Sequence, residues 1–128
     1  MNIAAVQLDI VWEDKPANFS RVRSLLAEAR PAPGSLIVLP EMFATGFSMN
    51  LNVTRQNGVR EDESFLAALA REHRAFVLGG VVSRGSWEKG RNEAVAFSPK
   101  PRRAATPRPS EISASFTGTA KVFPAKSS

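Results

Sequence analysis

Apolar and polar positions alternate along this chain in two different periods, and the switch between them marks its elements. Asn2 to Val11 (NIAAVQLDIV) is nearly continuous in apolar and β-compatible residues, which predicts a central strand covered on both faces. In WEDKPANFSRVRSLLAEARPAPG the period becomes helical. Phe19, Val22, Leu25, Leu26 and Ala29 fall on one side, with Arg21, Arg23 and Glu28 on the other. Pro16 sits early, where a missing N–H costs nothing, and Pro31, Pro33 and Gly34 stop the helix. SLIVLPE then supplies a second strand after that Pro/Gly break.

The same order repeats after a long loop. EDESFLAALAREHR, from Glu61, places three acidic residues at the positive end of a helix dipole and Arg71, His73 and Arg74 at the negative end. AFVLGGVVSR (Ala75 to Arg84) and EAVAFSP (Glu93 to Pro99) predict two more strands, joined by a polar loop with Gly85, Trp87 and Gly90. Gly79 and Gly80 inside a strand indicate a bulge or a close backbone approach. Alternating strands and helices predict an α/β fold with a largely parallel sheet and functional loops at the carboxyl ends of the strands.

Charge divides the chain at Lys100. Residues 1–99 hold 11 Lys+Arg and 11 Asp+Glu, so the net +5 of the 128 residues lies wholly in residues 100–128, with 6 basic and 1 acidic. KPRRAATPRPSEISASFTGTAKVFPAKSS is basic, Pro-rich and without periodicity except at KVF, which predicts a disordered tail behind a domain of residues 1–99. A solvated tail accounts for its charge better than a nucleic-acid site, because no aromatic interleaving accompanies it. No apolar run is long enough for a membrane span, and MNIAAVQLDI lacks the basic start of a signal peptide, so the expectation is a cytoplasmic protein with neither membrane nor nucleic acid among its partners. Cysteine is absent, which excludes a thiolate nucleophile or metal ligand within these residues.

Glu41 is the charged residue that this pattern does not explain. It ends the most apolar segment, LIVLPEMFATGF, at the carboxyl end of the second strand, and is followed by Met42, Phe43 and Phe47. A carboxylate held among such residues is partly desolvated, which raises its pKa towards the range of a general base. A salt-bridged Glu at a strand end fits position alone equally well.

The whole string LPEMFATGF resembles the first catalytic segment of the nitrilase superfamily, the carbon–nitrogen hydrolases. Its form, E-M-F-x-[ST]-G-F, looks most like the omega-amidase branch, which removes ammonia from the terminal amide of short 2-oxo acid amides such as 2-oxoglutaramate. IAAVQLDIVWEDKPANF, VLGGVVSR and RNEAVAFSP resemble successive segments of the same family, so the likeness runs over about residues 1–99. It implies the N-terminal half of a four-layer α-β-β-α sandwich followed by an irregular C-terminal tail. It also implies a small-molecule amide substrate, no cofactor, and homo-oligomers among intact relatives. By the resemblance Glu41 is the general base of a Glu-Lys-Cys mechanism, and Phe43, Phe47 and Asn92 belong to the substrate pocket or its supports.

The other two members of that triad have no counterpart. Where the family carries K-x-H-x-F, this chain reads SEISASFTGTAKVF, with Glu111 or its neighbours in place of the Lys and no Cys beyond it. Translation out of frame from about Lys100, with partial return near Phe116, would explain the charge jump, the proline burst and the missing Lys together, and would leave a truncated chain inactive by itself. Two alternatives stand beside that reading: a non-catalytic module that pairs with an intact subunit, and a basic-tailed binding protein.

Other residues carry weaker signals. His73 at a helix C-terminus fits a dipole-stabilising surface residue better than a catalytic one. Asp9 and Glu41 could pair across neighbouring strands, but without His or Cys they make no metal site. Phe43, Phe47 and Met49 are either pocket wall or core. Gly46 serves turn geometry. Asn92 either orders the loop near Glu41 or caps its own strand. GGVVSRG lacks the G-K-[ST] ending and the following helix of a phosphate loop.

Overall fold

A computed structural model of the chain describes residues 1–57, 60–84, 89–99 and, as backbone, 112–115. The elements in order are β1 (Ile3–Ala5), α1 (Lys15–Ala29), β2 (Leu36–Val38), α2 (Leu51–Thr54), α3 (Glu61–His73), β3 (Phe76–Arg84), β4 (Gly90–Phe97) and β5 (Ile112–Ser115). They build one sheet in the order β1-β2-β3-β4-β5.

Both long helices form where the pattern placed them, and their ends show why. Asp14 caps α1 by accepting the Ala17 N–H at 3.0 Å, Pro16 occupies the first turn, and Arg30 closes the helix in the left-handed region with its N–H on the Leu26 carbonyl. Helix α3 carries Glu61, Asp62 and Glu63 in its first turn and Arg71 and His73 in its last. His73 thus holds the helix-end position expected of it.

Register decides which strand residues meet the helices. Ala4, Ile37 and Val77 share one row, and with Gly79, Val81, Val95 and Phe97 they face Val22 and Leu26 of α1 and Leu66, Leu69 and Ala70 of α3. The aromatic residues Phe19 and Phe65 stack at 4.2 Å between centroids, with Phe43 6.0 Å from Phe65. Each fully buried side chain of this kind contributes roughly 1.5–3 kcal/mol. The neighbouring row, Ile3, Leu36 and Phe76, faces away from the helices. Ile3 is 59% and Phe76 40% exposed, so this second sheet face is apolar and only partly covered.

Three features depart from the sequence pattern. The first strand is not a central strand of ten residues; it is a three-residue edge strand with one further ladder bond, from the Val6 N–H to the Val38 carbonyl. Its partner β2 ends at Val38, two residues before Pro40, so residues 7–11 have nothing to pair with. The sheet is parallel only from β1 to β3. From β3 to β5 it is antiparallel; only residues 85–89 separate β3 from β4, too few for the crossover that a parallel pair needs. Within the segment expected to be irregular, residues 112–115 pair with β4 as β5. The open edge of β4 accepts a strand through its backbone alone. Gly85, Trp87, KVF and the rest of residues 100–128 lie outside the described residues.

A buried ionic cluster ties α1 to α3. The Lys15 ammonium is 2.9 Å from Glu61 Oε1 and 3.1 Å from Asp62 Oδ1, and donates to Asp62 Oδ2 at 3.3 Å and to the Arg55 carbonyl at 3.2 Å. Asp62 is 1% exposed, and its Oδ1 lies in Coulombic range of Lys15 without receiving a hydrogen bond among the described residues. Burial therefore outweighs the attraction of Lys15 and pushes the Asp62 carboxyl from 3.8 up to about 6. The folded state holds this proton more tightly than the unfolded chain. The stability from this group is complete below about pH 4 and is lost as pH rises through about 6. Urea unfolding from about pH 4 to 7 should accordingly show the wild-type chain losing stability relative to Asp62→Asn; a constant difference between the two would contradict the assignment.

Candidate functional site

The turn that carries Glu41 is fixed at both ends by backbone geometry. Leu39, one residue past β2, donates its N–H to the Leu78 carbonyl at 2.8 Å, and Pro40 ends the pairing. Met42 then adopts φ +55, a left-handed conformation costly for a residue with a side chain. Its carbonyl accepts the N–H groups of Thr45 at 3.2 Å and Gly46 at 2.8 Å, closing a tight turn. Gly46 has φ +78, and a Cβ there would meet the Trp12 ring at 3.2 Å. A glycine is required on both counts.

Neighbouring elements lock this turn in place. Asn18 of α1, fully buried, donates to the Ala44 carbonyl at 2.7 Å and the Val11 carbonyl at 2.8 Å, and accepts the Val11 N–H at 2.7 Å. One side chain thus satisfies three backbone groups that would otherwise be unpaired in a buried region. On the sheet side, a Cβ on Gly80 would lie 3.0 Å from Glu41 Cα and 3.2 Å from Met42 N. The two glycines of β3 mark a close approach and not a bulge, since the register with β4 runs unbroken from Val77 to Arg84.

Across this contact the half-buried Glu41 carboxylate accepts a hydrogen bond through Oε1 from the Asn92 side-chain amide. Asn92 pairs with Val82 in the β3–β4 register, on the same face as Gly80, and so reaches Glu41 over a strand position that has no side chain. Asp9 makes no pair with Glu41 and lies 3.7 Å from Arg21 on the surface.

Beside Glu41 opens a hollow of about 470 Å³ lined by Met42, Phe47, Ser48, Met49, Leu51, Thr54, Val82, Lys89, Gly90 and Asn92. The volume suits a small organic molecule. Phe47 and Met49, left open between pocket wall and core by the sequence, lie along this hollow, and both are strongly exposed, at 66% and 92%. Phe43 does not. It is fully buried between Phe19 and Phe65 on the helix side, so its ring is core and not substrate pocket. Nothing in the turn's sequence announces this, because a tight turn has no fixed side-chain period. Sequence reasoning also missed α2 and Lys89. The capping of α2 by Asn50, which accepts the Asn52 N–H at 3.2 Å, is legible only as an Asn before a short apolar pair. Lys89 carries no motif at all.

The carbon-nitrogen hydrolase family profile matches residues 2–112. The chain is 29% identical over 84 residues to the "Hydrolase in agr operon" of Staphylococcus aureus, covering 65% of this chain and 32% of that protein. It is 25% identical over 105 residues to a nitrilase of Pyrococcus abyssi, covering 78% of this chain and 40% of the relative. The chain therefore spans about a third to two fifths of the length of these curated relatives. Among solved structures it superposes on a CN-hydrolase superfamily protein of Xanthomonas campestris with TM-score 0.66 and 25% identity, over 76% of this chain and 36% of that one. With an N-terminal amidase the TM-score is 0.68 at 15% identity, over 92% and 28% of the two chains, a likeness of fold.

Because the Gly80 contact is with backbone atoms, which cannot rotate away, Gly80→Ala should displace the Glu41 turn and cost about 1–3 kcal/mol. The urea midpoint measures this loss, and an unchanged midpoint would mean that β3 and the turn are not packed as described.

Proposed function

The chain belongs to the carbon–nitrogen hydrolase family, and from that premise we propose that Glu41 is the general base of an amidase site of the omega-amidase kind, acting on the terminal amide of a short 2-oxo acid amide. The observation that carries this reading is the Glu41 carboxylate itself, held by Asn92 at the carboxyl end of β2 and beside a hollow of substrate size. The form EMFATGF supports the omega-amidase branch in particular.

The chemistry assigned to this residue needs one free carboxylate oxygen. Asn92 engages Oε1, which leaves Oε2 to take the proton of an attacking thiol. The resulting thiolate attacks the amide carbon, a lysine stabilises the oxyanion, and Glu41 gives its proton to the leaving nitrogen as ammonia departs. Glu41 then takes a proton from water as it attacks the thioester and passes it to the departing sulfur, releasing the acid and restoring the thiol. Asn92 acts here as a positioning residue.

These 128 residues contain no cysteine, so they perform no such turnover alone; the sulfur and the lysine must come from another stretch of polypeptide. The partly covered sheet face, with Ile3 and Phe76 exposed, favours a second form of the same reading in which an intact subunit or a complementary segment packs there. Ammonia release from 2-oxoglutaramate tests both. The purified chain should release none, and neither should Glu41→Gln. When the Lys- and Cys-bearing remainder of a full-length relative is supplied, release should appear with wild type and fall about 10²-fold or more with Glu41→Gln. Turnover by the chain alone that Glu41→Gln abolishes, or turnover of the mixture that ignores this change, would contradict the proposal.

A further inference from the structure

The polar groups around the hollow are almost all engaged with the protein itself. The Ser48 hydroxyl donates to Glu13 at 2.5 Å and accepts the Asn50 N–H at 3.1 Å. The Thr54 hydroxyl donates to the Asn50 carbonyl at 3.2 Å, and the Asn92 amide nitrogen donates to Glu41. Arg91, beside the lining, lies 3.8 Å from Glu93. Lys89 differs from all of these. Among the described residues its ammonium has no ion pair and no hydrogen bond, and it is the sole charged side chain in the lining.

Its backbone is held in place by the next residue. A Cβ on Gly90 would fall 2.5 Å from Leu51 Cδ2 and 3.1 Å from Val82 Cγ1. The start of β4 therefore packs directly on the Leu51 side chain of α2, and a side chain at Gly90 would require Leu51 to shift. This contact places the cation at the wall of an otherwise mostly apolar hollow, whose lining also includes Asn92, the residue that donates to the Glu41 carboxylate.

We infer that Lys89 is a specificity-determining residue that binds the carboxylate of an acid amide whose aliphatic middle lies on Met42, Leu51 and Val82 and whose amide end meets the Glu41–Asn92 pair. The inference rests on the reading of Glu41 as the base of an amidase site, and it adds to that reading the residue that meets the charge such an acid amide carries at the end remote from its amide. An exposed ammonium–carboxylate contact of this type favours the charged ligand by about fivefold at low salt.

Succinamate and succinamide make the test, since the two have the same heavy-atom skeleton and differ in one terminal charge. Binding of each to the 128-residue chain is followed by NMR titration of residues around the hollow, at low salt, for wild type, Lys89→Met and Lys89→Arg. Lys89 is exposed and lies outside the hydrophobic core, so the substitutions leave the core intact. Wild type should favour succinamate by about fivefold. Lys89→Met should reduce that preference to within about twofold without weakening succinamide, and Lys89→Arg should retain it. Binding of both ligands with no charge preference in wild type, or a preference that survives Lys89→Met, overturns the inference and leaves the amidase reading standing. Failure of both ligands to perturb the hollow overturns both readings.

Discussion

Two adjacent glycines in β3 set the limits within which the rest of the structure is arranged. Their absent side chains point to opposite faces of the sheet. On the helix face, a Cβ at Gly79 would meet Leu66 at 3.0 Å and Phe43 at 3.4 Å, so the core closes directly onto the strand. On the other face, the missing Cβ of Gly80 admits the backbone of Glu41 and Met42. The same few residues, 41 to 43, are thereby pressed against β3 from both sides. Glu41 comes to the border of a hollow while Phe43, two residues on, seals the core. The left-handed Met42 between them is the local strain that lets so short a segment serve both faces.

Much of this was legible in the sequence, and the failures have definable causes. Helices α1 and α3 declare themselves because their apolar stripes, caps and terminal charges all agree. The position of Glu41 follows from a strand that must end at Pro40, and the glycine pair signalled a close approach without saying what approaches. The length of β1 was misread because a continuous apolar run reports burial potential and not the length of its partner strand; β2 has only three residues to offer. Phe43 and Phe47 could not be separated into core and hollow, since the turn between them obeys neither a twofold nor a 3.6-fold period. Asp62 resembles any acidic residue at a helix start, and only the packing of α1 over it shows that it is buried against Lys15.

Function divides along the same line. On the proposed reading, the residues present supply the part of an amidase site that a strand end and its neighbouring strands can build: a carboxylate, the amide that orients it, and a hollow with a cation on its wall. Cysteine is not among them. The relatives from Staphylococcus aureus and Pyrococcus abyssi are far longer than the stretch they share with this chain, and a sheet face carrying Ile3, Phe76 and Leu36 is suited to packing against further polypeptide. The electrostatic balance fits as well. Residues 1–99 are neutral overall, and Glu41, Glu13 and Lys89 are charged groups close to the hollow among the described residues.

The account depends above all on the hydrogen bond that joins β4 to the end of β2. In the uniformly ¹³C- and ¹⁵N-labelled chain, a scalar coupling across that bond, from the Asn92 side-chain nitrogen to the Glu41 carboxylate carbon, would observe it directly. The account predicts a resolved correlation in the wild type that disappears in Glu41→Ala. A sharp, assigned Asn92 amide with no such correlation would contradict it, because Glu41 would then be a carboxylate at a strand end without the partner that makes it a site.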